Sequence, residues 1–289
     1  MVKILWGIIL LAFFLIILAI VIKPAKNEAL VNNQPVPVPS FSPLTSSFSL
    51  IPSNSPKPVV PVHSGRQAHI PILLYHYIGG NPNPDDSARD NLSVSPEKFD
   101  EQMGYLSQNG YDPITLDTMV AGLRGIASLP SKPVVITFDD GYVDLYINAF
   151  GILRKYGFRA VAFIPTGLIG TKYYASWEQL SEMQASGLLS FESHSVSHAN
   201  LPSLTKDRLV SELAESKKTL EARFGVPINF IAYPNGISSE QVQEAVKTAG
   251  YIGGIGTWFS TTQSEGTIYN MPRIKIPGGL SLLDFAKRL

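Results

Sequence analysis

The sequence predicts an α/β protein: a distorted (β/α) barrel of about seven strands, preceded by one transmembrane helix and a Pro/Ser-rich linker. Three observations predict it. From His69 onward, short apolar runs alternate with amphipathic helical patterns, which is the arrangement of a parallel sheet. Four of those runs end in polar or turn residues, and in a parallel barrel such ends share one face. Once the N-terminal residues are set aside, roughly 220 remain, the usual span of a single barrel.

The first element is residues 4–22, an unbroken apolar run bracketed by Lys3, Lys23 and Lys26. At about 1.5 Å per residue, a helix of this length just crosses a hydrocarbon core of roughly 30 Å. A cleaved signal peptide usually has an apolar region of only about 7–15 residues ending at small side chains. Here Ile22-Lys23-Pro24 makes a poor cleavage site. Residues 1–23 are therefore expected as an uncleaved anchor, the protein being secreted if they are removed. Lysines on both sides leave the orientation open. Residues 24–68 follow as a disordered linker rich in Pro, Ser and Asn, too polar to offset the entropy of folding.

Residues 69–289 form the folded domain. Its expected strands are residues 70–78, 133–138, 160–165, 188–193, 229–233, 251–257 and 268–276. Ser95-Pro96 reads as an N-cap followed by proline at the first helical position, with Gly110 near the stop. Ser176 and Gln179 have capping-box spacing, with Gly187 after the helix. Leu209, Leu213, Leu220 and Phe224 recur at helical spacing before Gly225, and Val242, Ala245, Val246 and Ala249 do so before Gly250.

Lys plus Arg and Asp plus Glu both count 23, so the formal charge is zero. That argues against nucleic-acid binding, which needs a basic stripe. With no cysteine the chain has neither disulfides nor thiolate chemistry, and suits either side of a membrane.

The polar residues at the strand ends could carry chemistry. Asp139-Asp140-Gly141 closes one apolar run, His194 and His198 follow another, His76 ends the first, and Pro234-Asn235-Gly236 ends a fourth. Singly, each has an ordinary structural explanation: a turn, a solvated helix face, a core histidine. Jointly, two imidazoles and a carboxylate are a common ligand set for a catalytic divalent ion with a position left for water. Successive strand residues face opposite ways, so one aspartate can bind metal while its neighbour transfers protons.

These residues resemble the polysaccharide deacetylases of carbohydrate esterase family 4. Thr137-Phe138-Asp139-Asp140-Gly141 is similar to the family's first motif, and Ser193-His194-Ser195-Val196-Ser197-His198 to its His-Ser/Thr-x-x-x-His metal motif. The resemblance implies that Asp139 is the general base and that Asp140, His194 and His198 hold the metal. It implies one divalent ion, zinc by default, though cobalt, nickel or iron suit the same ligands. The family's general-acid histidine usually lies near the C-terminus, yet no histidine follows His198. Ile72-Leu73-Leu74-Tyr75-His76-Tyr77 resembles the opening strand of a circularly permuted branch that deacetylates poly-N-acetylglucosamine, which makes His76 the acid; His63 and His69 are weaker candidates. The third motif, Arg-x-Pro-Tyr/Phe, appears as Ala232-Tyr233-Pro234-Asn235, without its arginine. Asn235 can still offer a backbone N–H to an oxyanion. Arg273, where the permuted branch also has an arginine, is a candidate to orient Asp139 or an ordinary surface residue.

The expectation is a monomeric hydrolase at the cell membrane, its catalytic domain extracytoplasmic. It would remove acetyl groups from poly-N-acetylglucosamine, peptidoglycan or a chitin-like polymer. The competing reading is a membrane-tethered glycan-binding module with a vestigial metal site. A glycosidase is disfavoured, because adjacent Asp139 and Asp140 cannot flank a glycosidic bond. So is a serine hydrolase, since Ser193 and Ser195 lack a nucleophile elbow.

Overall fold

The structure, a computed structural model, describes residues 59–60, 67–81 and 87–289. The expected anchor, residues 1–23, and most of the expected linker lie outside the described residues. Among the described residues, no helix is long and apolar enough to cross a membrane.

Seven parallel strands build the sheet: β1 (Ile72–Tyr75), β2 (Pro133–Phe138), β3 (Ala160–Ile164), β4 (Leu189–Ser193), β5 (Phe230–Ala232), β6 (Gly253–Ile255) and β7 (Ile274–Lys275). They lie side by side in the order β6-β5-β4-β3-β2-β1-β7, so each strand neighbours the next in sequence and the last returns to the first. Leu73 pairs with Ile136, Phe191 with Ala162, Ile231 with Gly254, and Ile274 with Leu73. The sheet curls until its edges meet at one parallel bridge, Ile255 to Met271. There Met271 N–H donates to Gly254 O and Gly256 N–H to Met271 O, both at 2.9 Å.

Strand alternation sorts the side chains into two cores. Ile72, Val135, Val161, Phe163, Phe230, Ala232 and Ile255 fill the barrel interior. Leu73, Val134, Ile136, Ala160, Ala162, Leu189 and Phe191, at the alternate strand positions, pack outward against the helices. Both faces are buried, so these strands read as continuous apolar runs rather than alternating ones.

The connecting helices are α1 (Pro96–Gln108), α2 (Leu116–Leu123), α3 (Phe150–Tyr156), α4 (Trp177–Ala185), α5 (Lys206–Phe224), α6 (Glu240–Thr248) and α7 (Leu282–Ala286). Ser95 caps α1 by accepting from Lys98 N–H, and the Ser176–Gln179 capping box of α4 is formed in both directions. Helix α5 stops at Gly225, whose φ of 68° places it in the left-handed region.

Three expected strands are markedly shorter than predicted. Residues 251–257 keep only Gly253–Ile255 as strand. Residues 70–78 divide at His76 into β1 and the separate pair Tyr77–Ile78. In residues 268–276 only Ile274–Lys275 is strand, because a 3₁₀ segment, Glu265–Asn270, precedes it and Pro272 has no N–H to donate. Two short antiparallel pairs join the outside of the domain: Val59–Val60 with Leu129–Pro130, and Gln67–His69 with Thr262–Ser264.

Candidate active site

The alternation that fills the interior also selects what stands at its mouth. Counting on from the inward residues Ile72, Val135 and Ala232 by twos reaches His76, Asp139 and Pro234 at the carboxyl ends of β1, β2 and β5. His194 occupies the matching place after β4. His76, Asp139, Asp140, His194, His198 and Asn235 all line one cavity of about 430 Å³. A larger cavity, about 610 Å³ between α5 and α6, is lined mainly by aliphatic groups and holds no comparable set of reactive side chains.

Asp140 departs from the alternation. A regular strand would turn it outward, away from Asp139, but its φ is 71°. That left-handed backbone brings its carboxylate back to the mouth, where Oδ1 lies 3.4 Å from His194 Nε2 and 3.3 Å from His198 Nε2. The three ligand atoms all fall within 4.8 Å of one another. Donors arranged tetrahedrally about 2.0–2.1 Å from zinc stand about 3.3–3.4 Å apart, so the carboxylate-to-imidazole separations fit such an ion. His194 Nδ1 lies 2.8 Å from Ala232 O, and donating there leaves Nε2 as the free ligand atom. Burial lowers the His198 pKa and favours the neutral ring a metal requires.

Asp139 has a different partner. It is 3 % exposed and receives two parallel hydrogen bonds from Arg273, each 2.7 Å, from Nη1 to Oδ1 and from Nη2 to Oδ2. Arg273 is fully buried, so it is not a surface residue. Its Nε donates to Gly256 O at 2.8 Å and its Nη1 also reaches Thr137 Oγ1 at 3.3 Å. Burial by itself would raise the Asp139 pKa, but the charge and paired hydrogen bonds of Arg273 outweigh it and hold the carboxyl below its ordinary range. His76 is shifted down by burial, against the opposing pull of Asp139 and Asp140.

The histidine loop is held from behind. Ser195 and His198 have φ of 64° and 57°, and with Asp140 and Asn235 they complete the positive-φ non-glycine residues among those described. Such conformations cost of order 1–3 kcal/mol each and persist only where the surroundings enforce them. Glu212 of α5, 3 % exposed, supplies much of that enforcement. Its carboxylate accepts from Val196 N–H and Ser197 N–H at 2.9 Å each and from Ser197 Oγ at 2.7 Å. Ser195 Oγ accepts from His198 N–H at 3.0 Å.

The structure thus brings together His76, Asp139, Asp140, His194, His198 and Asn235, with Arg273 immediately behind Asp139. Pro234 is buried and starts the turn that presents Asn235. His69 does not belong: it is exposed and its ring contacts Leu289 O at 2.5 Å. His63 lies outside the described residues. Sequence reasoning missed Glu212 and the cavity-lining Tyr142, Thr257 and Lys275. For Glu212 a signal existed, a carboxylate on the buried Leu209–Leu213–Leu220 stripe of an otherwise amphipathic helix.

Comparison with known proteins identifies the family. The sequence profile of the polysaccharide deacetylase family matches residues 127–253, the span that contains Asp139, Asp140, His194 and His198. The Bacillus subtilis protein YxkH, which carries the family's name without a substrate, is 33 % identical over 220 residues, covering 76 % of both chains. A Staphylococcus aureus poly-beta-1,6-N-acetyl-D-glucosamine N-deacetylase is 30 % identical over 199 residues, covering 64 % of this chain and 68 % of its own. The solved structure of the Streptococcus pyogenes deacetylase PplD in complex with acetate superposes with a TM-score of 0.71 at 29 % identity, covering 76 % of this chain and 97 % of that one.

Proposed function

The chain belongs to the polysaccharide deacetylase family and is a deacetylase hydrolase; from that premise we propose that it removes N-acetyl groups from an extracytoplasmic polymer of N-acetylglucosamine. The observation that carries this reading is one cavity in which the Asp140–His194–His198 cluster stands beside an Asp139 carboxylate held by Arg273. The S. aureus relative, named for poly-beta-1,6-N-acetyl-D-glucosamine, supports that glycan above peptidoglycan or chitin-like chains. The acetate in the PplD structure is the product expected of such chemistry.

Asp140, His194 and His198 would hold one divalent ion, zinc before cobalt, nickel or iron, which when bound supplies Lewis-acid polarisation of the acetyl carbonyl and of a water. Asp139 accepts the proton of the attacking water, because its carboxylate is kept ionised by Arg273. The backbone N–H of Asn235 serves the developing oxyanion, a type of donor worth about 2.7–4 kcal/mol when removed elsewhere. His76, in the same cavity at the carboxyl end of β1, passes a proton to the departing nitrogen. The C–N bond breaks, the C–O bond forms, and the products are acetate and a free glucosamine unit. Residues 4–22 anchor the protein, with the catalytic domain outside the cell membrane where such glycans lie.

The test is acetate release by the full-length, metal-loaded protein from the three glycan classes, with metal content measured in parallel. Asp139→Asn should abolish release while retaining the metal, and His194→Ala should lose the metal. Full activity in Asp139→Asn would remove Asp139 as the base.

A further inference from the structure

His76 and Asp139 follow the neighbouring strands β1 and β2 and line the same cavity. Their surroundings differ. Asp139 is gripped by Arg273, and the ring of His194 is fixed by Ala232 O. Among the described residues none hydrogen-bonds the His76 ring; burial and the charges of Asp139, Asp140, Arg273 and His194 are what act on it. A catalytic imidazole is ordinarily oriented by a third group. Here its placement has to come through the backbone that carries it.

That backbone is clamped from the β2 side. Tyr77 N–H donates to Leu92 O at 3.1 Å, and the fully buried Ile78 turns its own N–H and C=O the opposite way. There the chain that leaves Asp139 and Asp140 forms a π-helical turn, Leu145–Ala149, closed by Phe150 N–H donating to Leu145 O. It is the one π turn among the described residues, and such turns are frequent at functional sites. Asn148 Nδ2 donates to Ile78 O at 2.6 Å. Burial lifts the Asp144 carboxyl to a pKa of about 6, with the Ile78 N–H the main influence in the other direction. Both side chains also reach the next residue: a Cβ at Gly79 would lie 3.6 Å from Asn148 Nδ2 and from Asp144 Oδ2. The Tyr77 ring stacks on Tyr142 with 4.0 Å between centroids, joining the same two segments a second time.

We propose that Asn148 and Asp144 are positioning residues whose hold on Ile78 sets where His76 stands relative to Asp139. This rests on the reading of His76 as the general acid. Acid and base act on one acetamide from different strand ends, so their separation must be kept within about 0.5 Å of the productive one. The π turn issues from the strand that carries the base and grips the segment that carries the acid. The two groups therefore move as one body.

The experiment measures acetate release from the β-1,6-linked N-acetylglucosamine pentamer beside hydrolysis of 4-nitrophenyl acetate, both by the full-length metal-loaded protein. A departing amine needs a proton, whereas 4-nitrophenolate leaves without one, so a lost or misplaced acid lowers the ratio of acetamide to ester rates. His76→Gln sets the scale of that fall. Asn148→Asp, which turns a carboxylate oxygen on Ile78 O, should lower kcat on the pentamer about 10–100-fold, with KM and the ester rate within about twofold of wild type. Asp144→Asn keeps an acceptor for the Ile78 N–H and should retain most of the pentamer rate, whereas Asp144→Ala should lose it. Hydrogen exchange in Asn148→Asp should quicken at residues 76–79 and stay unchanged in β3 and β4. If Asn148→Asp does not fold, Asn148→Ala and Asp144→Ala decide. An unchanged ratio in the Asn148 variants, or equal losses on pentamer and ester, would overturn the positioning role. An unchanged ratio in His76→Gln would instead remove His76 as the acid. Wild-type protein that hydrolyses the ester but releases acetate from no glycan would defeat the glycan reading itself.

Discussion

Asp139 and Asp140 are adjacent residues of the same type, and their surroundings assign them opposite tasks. Asp140 turns by a left-handed φ toward two imidazoles, whereas Asp139 continues the strand alternation into the grip of a fully buried guanidinium. A carboxylate this deep is tolerable only because its charge is met by two short hydrogen bonds. Removing one member of such a buried pair strands the other, at a typical cost of about 3–5 kcal/mol. Arg273→Met should therefore destabilise the protein by roughly that amount in urea unfolding. The double variant Arg273→Met with Asp139→Asn, which leaves no charge behind, should recover much of it. Purely additive losses would mean that the arginine acts through packing alone.

At the scale of elements, the metal loop is as much a product of α5 as of β4. The turn from His194 to His198 contains two strained residues, and the Glu212 carboxylate on α5 gathers the loop's amides into one acceptor. Groups that orient metal ligands from behind typically change affinity about 10–100-fold when lost. Glu212→Ala should weaken zinc binding by about that factor in a chelator competition, while the far-ultraviolet spectrum keeps its native form. Glu212→Gln should bind nearly as well, because its amide oxygen can still accept from both N–H groups. Zinc bound as tightly by Glu212→Ala as by wild type would make the loop self-supporting. What the sequence made legible follows the range of each determinant. The aspartate pair, the histidine pair and the caps at Ser95 and Ser176 are local patterns, visible within a few residues. The ends of the strands at His76 and Pro272 depend on which neighbour accepts each hydrogen bond, so the expected runs came out too long. Glu212 acts on a loop 15 and 16 residues away, and Arg273 pairs with a residue 134 positions earlier. Neither distance leaves a trace in spacing, although the apolar stripe of α5 does betray Glu212 as a charge on a buried face.

For the molecule as a whole, the pairing of Arg273 with Asp139 exists because the barrel closes: β7 lies against β1, and Met271 bridges to Ile255 on the far edge. Closure also seals the interior below the site, and there one ionisable group, Glu192 of β4, is left 6 % exposed. Its Oε2 accepts from the N–H groups of Asn229 and Phe230 at 2.9 and 2.8 Å. Burial nevertheless pushes its pKa up to about 8, with the nearby Asp117 charge adding to the effect against those two donors. In an unfolded chain the same carboxyl would titrate near 4.3. Between those values the folded state holds a proton that the unfolded state has released, so stability should fall as pH rises. The contribution is fully present below about pH 4.3 and is lost progressively as pH climbs through about 8, with a slope of at most about 1.4 kcal/mol per pH unit. Glu192→Gln keeps the shape and an acceptor for both donors but cannot ionise. Its unfolding free energy should therefore match wild type near pH 4.5 and exceed it increasingly towards pH 8.5. Subtracting the two proteins' urea-unfolding curves across that range removes every other titrating group from the comparison. A difference that stays flat from pH 4.5 to 8.5 would show that the two backbone donors keep Glu192 ionised and that the interior tolerates its charge.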